Sequence, residues 1–298
     1  MRLLRVEIQR YFSRRLTKLT ALAVLALVAL ILLGVQQDAY NSVPSRRDQI
    51  AQDQVQQCES AQQQARAGDP GADFHCAGIT NEAISPPIAS FAAAAADRSA
   101  NLALLFGAAG FFIGAAFFAG EFATGSMGTW LTFEPRRRRV YASKLAAAAL
   151  GSVLLTAVWM AALLVGIYLV LRLNGLSTDL TGAERTDLVW MVVRVLVVCA
   201  GAAAGGAVLG TLLRHTAAAL GVMLGYAILV EAVLAQLITS VVPEPQPWLV
   251  YSNFQAFVQN GWSYLFNPCV GAGGGGSCEP AQHTISLGHS SIYLAVLV

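Results

Sequence analysis

Apolar positions along the chain gather into five long runs, at 19–35, 99–120, 145–171, 188–213 and 216–242. Each is long enough to cross roughly 30 Å of hydrocarbon as an α-helix. A sixth run opens at Ser291 (SIYLAVLV) and is eight residues long at Val298. Eight residues do not span a bilayer, so the pattern predicts a sixth helix cut short, completed by roughly a dozen further apolar residues. Ahead of the first run, MRLLRVEIQRYFSRRL places Leu4, Ile8, Tyr11, Phe12 and Leu16 on one side at helical spacing, with Arg2, Arg10 and Arg14 roughly opposite. That pattern predicts a helix over 1–16 lying on a membrane surface. Arg5 and Arg15 intrude on its apolar side, and a plain extension of the first span is the alternative.

The polar stretches carry their own signals. DQIAQDQVQQCESAQQQARA has no glycine or proline and predicts a polar helix ending at AGDPG. Ser85-Pro86-Pro87 marks a turn. The last polar region, 243–290, reads as loop: PEPQP at 243–247, then GAGGGGS at 271–277. Its aromatics (Tyr251, Phe254, Phe257, Trp262, Tyr264, Phe266) suggest a half-buried interfacial helix or re-entrant piece. No internal repeat is visible.

Composition sharpens the class. Of 298 residues, 56 % are hydrophobic and 12 % charged, with a mean hydropathy of +0.57. Soluble domains carry about a quarter charged residues, so this chain belongs in a bilayer. The first run has no small-residue cleavage site after it, and more spans follow, so it reads as a retained anchor and not a signal peptide.

The placement of positive charge sets the predicted orientation. Arg2, Arg5, Arg10, Arg14, Arg15 and Lys18 precede the first span; Arg136, Arg137, Arg138, Arg139 and Lys144 follow the second; Arg214 lies between the fourth and fifth. The opposite side holds Arg46, Arg47, Arg66, Arg98, Arg172 and Arg185, fewer charges over far more residues. By the positive-inside rule the N-terminus is cytoplasmic, in a multi-pass protein of the cell membrane. The outer segments are then 36–98, 172–187 and 243–290.

Cys58, Cys76, Cys269 and Cys278 all fall in those outer segments. Cysteines confined to an oxidising side read as disulfides, paired locally (Cys58–Cys76, Cys269–Cys278) or crossed between segments. Cys199, within the fourth span, reads as a packing residue. His75 adjoins Cys76, and His283 and His289 follow Cys278, but these spacings match no metal-ligand pattern. The residues therefore predict an all-α integral membrane protein. It has six transmembrane helices (the sixth truncated), an N-terminal interfacial helix and two disulfide-braced extracytoplasmic segments.

Several chemistries lack their residues. The only lysines, Lys18 and Lys144, do not stand in a Gly-Lys-Ser/Thr sequence, so no P-loop exists. H-E-x-x-H, G-x-S-x-G and clustered intramembrane carboxylates are also missing, which leaves no basis for catalysis by this chain, and nothing points to nucleic acid. Two charges do lie within spans, Arg194 in the fourth and Glu231 in the fifth. With the turn near Arg214 and His215, their depths differ by roughly 6 Å at 1.5 Å per residue. They read either as a structural arrangement, with Arg194 snorkelling outward and Glu231 tied to it or to backbone, or as the lining of a substrate path.

Between the second and third spans stands EFATGSMGTWLTFEPRRRRVYASK. Gly125, Gly128 and Pro135 allow a short helix over 126–133 along the inner membrane face, with the arginines holding it to the surface. The stretch resembles the first cytoplasmic loop of ABC-2 type transporter permeases. Glu121 stands at the end of a span, followed by Gly128-Thr129, Leu131, Pro135, the basic run Arg136, Arg137, Arg138 and Arg139, and Lys144. The six-span plan agrees in layout, and the doubled glycine step Gly125-Ser126-Met127-Gly128 departs from the pattern.

The resemblance implies a permease subunit of an exporter, without enzyme activity of its own. It implies a separate cytoplasmic ATPase that holds ATP and Mg, a second permease (identical or related), and membrane lipids around both. It further implies a coupling helix in which Ser126, Met127, Thr129 and Trp130 meet the ATPase, shaped by Gly125 and Gly128 and braced by Glu121. The competing reading is a non-transporting sensor or scaffold whose outer segments bind a ligand. The Ala/Arg-rich, Lys-poor composition suggests a bacterial source.

Overall fold

The computed structural model describes residues 2–68, 76, 90–123, 137–234, 245–266 and 281–297. Helices dominate. Helix α1 (Arg2–Ser13) is separated by a bend at Arg14 from α2 (Arg15–Asn41), and α3 (Pro44–Gly68) follows. Then come α4 (Phe91–Ala123), α5 (Arg137–Leu173) and α6 (Gly182–Leu213). Next is α7 (Thr216–Gly225), which passes directly into a π-helical segment, Tyr226–Leu234. A short turn leads to α8 (Val250–Gln259), strands β1 (Trp262–Phe266) and β2 (Ala281–Ile285), and α9 (Leu287–Leu297).

Among the described residues five helices are long and apolar enough to cross a membrane: α2, α4, α5, α6 and α7 with its π continuation. Most outrun the apolar runs that announce them. Helix α4 starts at Phe91, ahead of the apolar run at 99, and α2 continues through Gln36 and Gln37 to Asn41. Backbone hydrogen bonding does not stop where hydropathy does: α2 carries on into polar residues, and α4 takes in the alanines 92–96 that Asp97 and Arg98 separate from its apolar run. Helix α4 is the most deeply buried of the five and forms the centre of the bundle. Helix α2 is peripheral. Val24, Val28 and Val35 face inward, while Leu19, Leu22, Leu30 and Leu33 are exposed, as expected where an apolar face meets lipid.

The closest packing in the bundle joins α4 to α6. A Cβ at Gly114 would run into the Ala203 carbonyl, and one at Gly206 into the Phe111 carbonyl. Small residues permit this backbone approach, which supplies the dispersion and polar contacts that hold helices together where no hydrophobic drive exists between them. Around this seam Phe106 of α4 meets Trp159 of α5 (5.6 Å between ring centroids), and Ile113, Phe117, Leu163 and Ile167 belong to the same continuous core. At the end where α4 begins, Asn174 donates to Gln36 (3.1 Å) and Arg98 pairs with Asp38 (2.9 Å).

The all-α class holds, with local departures. Strands β1 and β2 form an antiparallel ribbon, with Trp262 opposite Ile285 and Tyr264 opposite His283. Trp262 and Tyr264 alternate along β1 and stack on one face (5.7 Å between centroids), so of the 243–290 aromatics only Tyr251, Phe254 and Phe257 lie on the interfacial helix, α8. The fifth span is also not one uniform α-helix, because it changes to π geometry at Tyr226. Cys58 and Cys76 form a disulfide with Cα atoms 5.7 Å apart. Cys269, Cys278 and His75 lie outside the described residues, as does the loop 124–136.

Candidate functional site

The charges at the base of the 124–136 loop converge. Glu121 closes the last turn of α4, and Lys144 sits two turns into α5, so the two flank the loop. Both are buried, at 5 % and 1 % exposure, and their side chains form an ion pair at 2.5 Å. Glu7 of α1, at 0 % exposure, reaches the same ammonium group at 3.1 Å. Arg14, at the bend between α1 and α2, completes the set. It pairs with Glu121 at 2.9 Å and donates to the Ala116 carbonyl at 3.2 Å. Two carboxylates thus meet two cations, while Arg10 stands at the rim, 3.8 Å from Glu7.

Aromatic rings seal the cluster. The Arg14 guanidinium lies 4.7 Å and the Lys144 ammonium 5.1 Å from the centre of the Phe117 ring. Tyr11, one turn after Glu7 on α1, is fully buried against Gly151, whose Cβ would meet the ring at 2.6 Å. Burial raises the Tyr11 hydroxyl well above its usual pKa. It also pulls the Arg14 guanidinium below its ordinary value, against the opposing pull of Glu121 and Glu7. Ion pairs this enclosed contribute little net stability relative to apolar packing. Removing one partner, however, strands a buried charge at about 3–5 kcal/mol.

Several sequence-derived candidates therefore take different places. Glu121 is buried and paired, and Lys144 is an internal partner of both carboxylates, not a surface anchor. Arg138 and Arg139 are exposed. Gly125, Ser126, Met127, Gly128, Thr129, Trp130 and Arg136 lie outside the described residues. Glu7 and Arg14 were missed as members of the site. The available signal was Glu7 itself, a carboxylate on the side of α1 otherwise made of Leu4, Ile8 and Tyr11.

The two intramembrane charges do not pair with each other. Glu231 accepts hydrogen bonds from the backbone N–H groups of Val250 (2.8 Å) and Tyr251 (3.2 Å), at the start of α8. It also accepts from the Tyr226 hydroxyl (2.9 Å). In an α-helix residues five apart diverge by about 140°, whereas the i→i+5 closure of the π segment brings Tyr226 and Glu231 to one face. A carboxylate on the first N–H groups of α8 also complements its dipole. Arg194 lies near the other end of α8, in a recess shared with Gln259 and Asn260. Between α4, α6, α7, α8 and α9 lies an apolar cavity of about 430 Å³, bordered by Leu104, Phe111, Leu209, Met223 and Phe254 among others.

The family model for ABC-2 family transporter proteins matches residues 8–265, which takes in the long apolar helices of the described residues and, of the charge cluster, Arg14, Glu121 and Lys144. No curated protein and no solved structure matches the chain. Members of that family are transmembrane subunits and not the ATPase, in keeping with a chain whose described residues hold five bilayer-length helices and whose sequence has no P-loop. With most of its length matched, the chain belongs to the ABC-2 family of transporter proteins, as a multi-pass membrane subunit of an ABC transporter.

Proposed function

We propose that this chain is the permease half of an ATP-driven exporter whose loop 124–136 receives force from a separate cytoplasmic ATPase. That partner supplies the nucleotide site and its Mg, and two permeases, identical or related, enclose the path. The N-terminus and the charge cluster face the cytoplasm, in accord with the excess of arginine and lysine at that end. Six spans per permease belong to this reading, with the apolar helix α9 assigned to the sixth.

The observation that supports coupling is the buried quartet Glu7, Arg14, Glu121 and Lys144. It ties α1, α4 and α5 together where the loop leaves and re-enters the bundle. A displacement of the loop then moves the interfacial helix and both flanking helices as one body, because breaking the cluster costs more than shifting it. Within the loop, Ser126, Met127, Thr129 and Trp130 form the contact surface, with Gly125 and Gly128 shaping the bends. The apolar cavity bordered by Phe111 and Phe254 suits an amphipathic cargo.

Co-expression with the candidate ATPase and purification in mild detergent tests this reading. A stoichiometric nucleotide-binding subunit should co-purify, and Gly128→Trp should abolish its association and the stimulation of hydrolysis by substrate. Intact association and stimulation in that variant would sink the coupling assignment. Persistent absence of an ATPase would favour a sensor or scaffold.

A further inference from the structure

Arg194 occupies a built recess at the far end of the bundle from the charge cluster. The cavity, about 330 Å³, falls within the size range of small-ligand sites. Its walls come from Ala92 and Ala96 of α4, Leu188 and Met191 of α6, and Gln259 and Asn260 at the end of α8. Arg194 is half-buried there and, among the described residues, makes neither an ion pair nor a hydrogen bond. A guanidinium at this depth without a counter-charge is unfavourable, so the recess is incomplete as it stands.

The rest of the lining states what would complete it. Glu184 and Asp187 lie on the same face of α6, ten and seven residues ahead of Arg194 and nearer the helix start. Asp187 therefore stands about 10 Å further toward the start of α6 along the axis, the direction in which long side chains on a helix generally lean. The α8 C-terminus, with its partial negative charge, ends beside the same recess at Asn260. Along α6 next to the recess, Trp190, Val193 and Val197 are exposed apolar residues, so the site borders lipid-facing surface. From membrane to water the order is apolar surface, cation, anions. A zwitterionic phospholipid presents the complementary order of acyl chains, phosphate, ammonium.

We propose that this recess holds the head group of an amine-bearing zwitterionic phospholipid. Its phosphate meets Arg194, and its ammonium meets Asp187, Glu184 and the end of α8. The Gln259 and Asn260 side chains supply further polar contacts, and the acyl chains descend along Val193 and Val197. An anionic glycerol head group would satisfy Arg194 but bring no positive charge to the two carboxylates, so the site discriminates between lipids.

The test is native mass spectrometry of the full chain released from nanodiscs of equal parts phosphatidylethanolamine and phosphatidylglycerol. Wild type should retain one phosphatidylethanolamine per chain in preference to phosphatidylglycerol. Arg194→Gln should lower that retention at least tenfold, and Asp187→Asn should erase the preference between the lipids. Ala96→Trp, which fills the recess without touching a charge, should lower retention as far as Arg194→Gln does, so a folding defect in the arginine variant leaves the test intact. Added soluble phosphoethanolamine or inorganic phosphate should not displace the lipid. Unchanged retention in Arg194→Gln and Ala96→Trp, equal retention of both lipids by wild type, or displacement by either soluble competitor would each overturn the proposal.

Discussion

Lys144 illustrates how little a residue's sequence neighbourhood says about its role. It follows four consecutive arginines and reads as one more surface charge, yet it is buried between Glu7 and Glu121. Lys144→Met should destabilise the protein by about 3–5 kcal/mol, because both carboxylates remain buried with one cation fewer. Adding Glu7→Gln should recover part of that loss, a non-additivity that thermal unfolding in detergent would detect. Strictly additive effects would show that the groups do not interact. Glu121 and Lys144 stood out in the sequence because they flank the loop. Glu7 and Arg14 did not, because the bend that folds α1 back onto α4 and α5 is a tertiary event with no local signature.

At the scale of elements, the long helices were legible and their irregularities were not. The α4–α6 seam depends on glycines whose Cβ would strike backbone, so Gly206→Val should cost about 1–3 kcal/mol or more and lower the unfolding temperature. A matching substitution at Gly205, which faces open space, should be nearly neutral by the same measurement. The π segment has no sequence signature. It is visible only once Glu231 is seen reaching the first N–H groups of α8. Glu231→Ala should weaken α8 locally by about 1 kcal/mol, as loss of an N-terminal cap does. Faster amide exchange across Val250–Gln259, with global unfolding little changed, is the expected readout. The ribbon escaped sequence reading because residues 267–280 separate its two strands, and pairing at that separation leaves no local pattern.

For the whole molecule, charge asymmetry predicts that the cluster end is cytoplasmic. A membrane-impermeant maleimide applied to intact cells should label Asp187→Cys and leave Arg139→Cys untouched until the membrane is opened. The reverse pattern would invert the proposed topology and remove any cytoplasmic ATPase from reach of the 124–136 loop. The same orientation puts the Arg194 recess in the outer leaflet and the quartet at the inner surface, so α6 and α4 link the lipid-facing end to the loop end through their shared seam.

Length and apolarity alone determined that this chain lives in a membrane and where its long apolar helices run, and its residue types alone show that it carries no P-loop. Those properties follow from summed transfer energies and from missing residue types, which no fold can change. Tertiary structure decided which charges meet. Arg194 and Glu231, close in predicted depth, sit near opposite ends of α8, while Glu7, Arg14, Glu121 and Lys144, from four places in the chain, close into one cluster. Depth follows from counting residues along a helix, but partnership depends on how helices rotate and pack, and that is fixed only when the backbones touch.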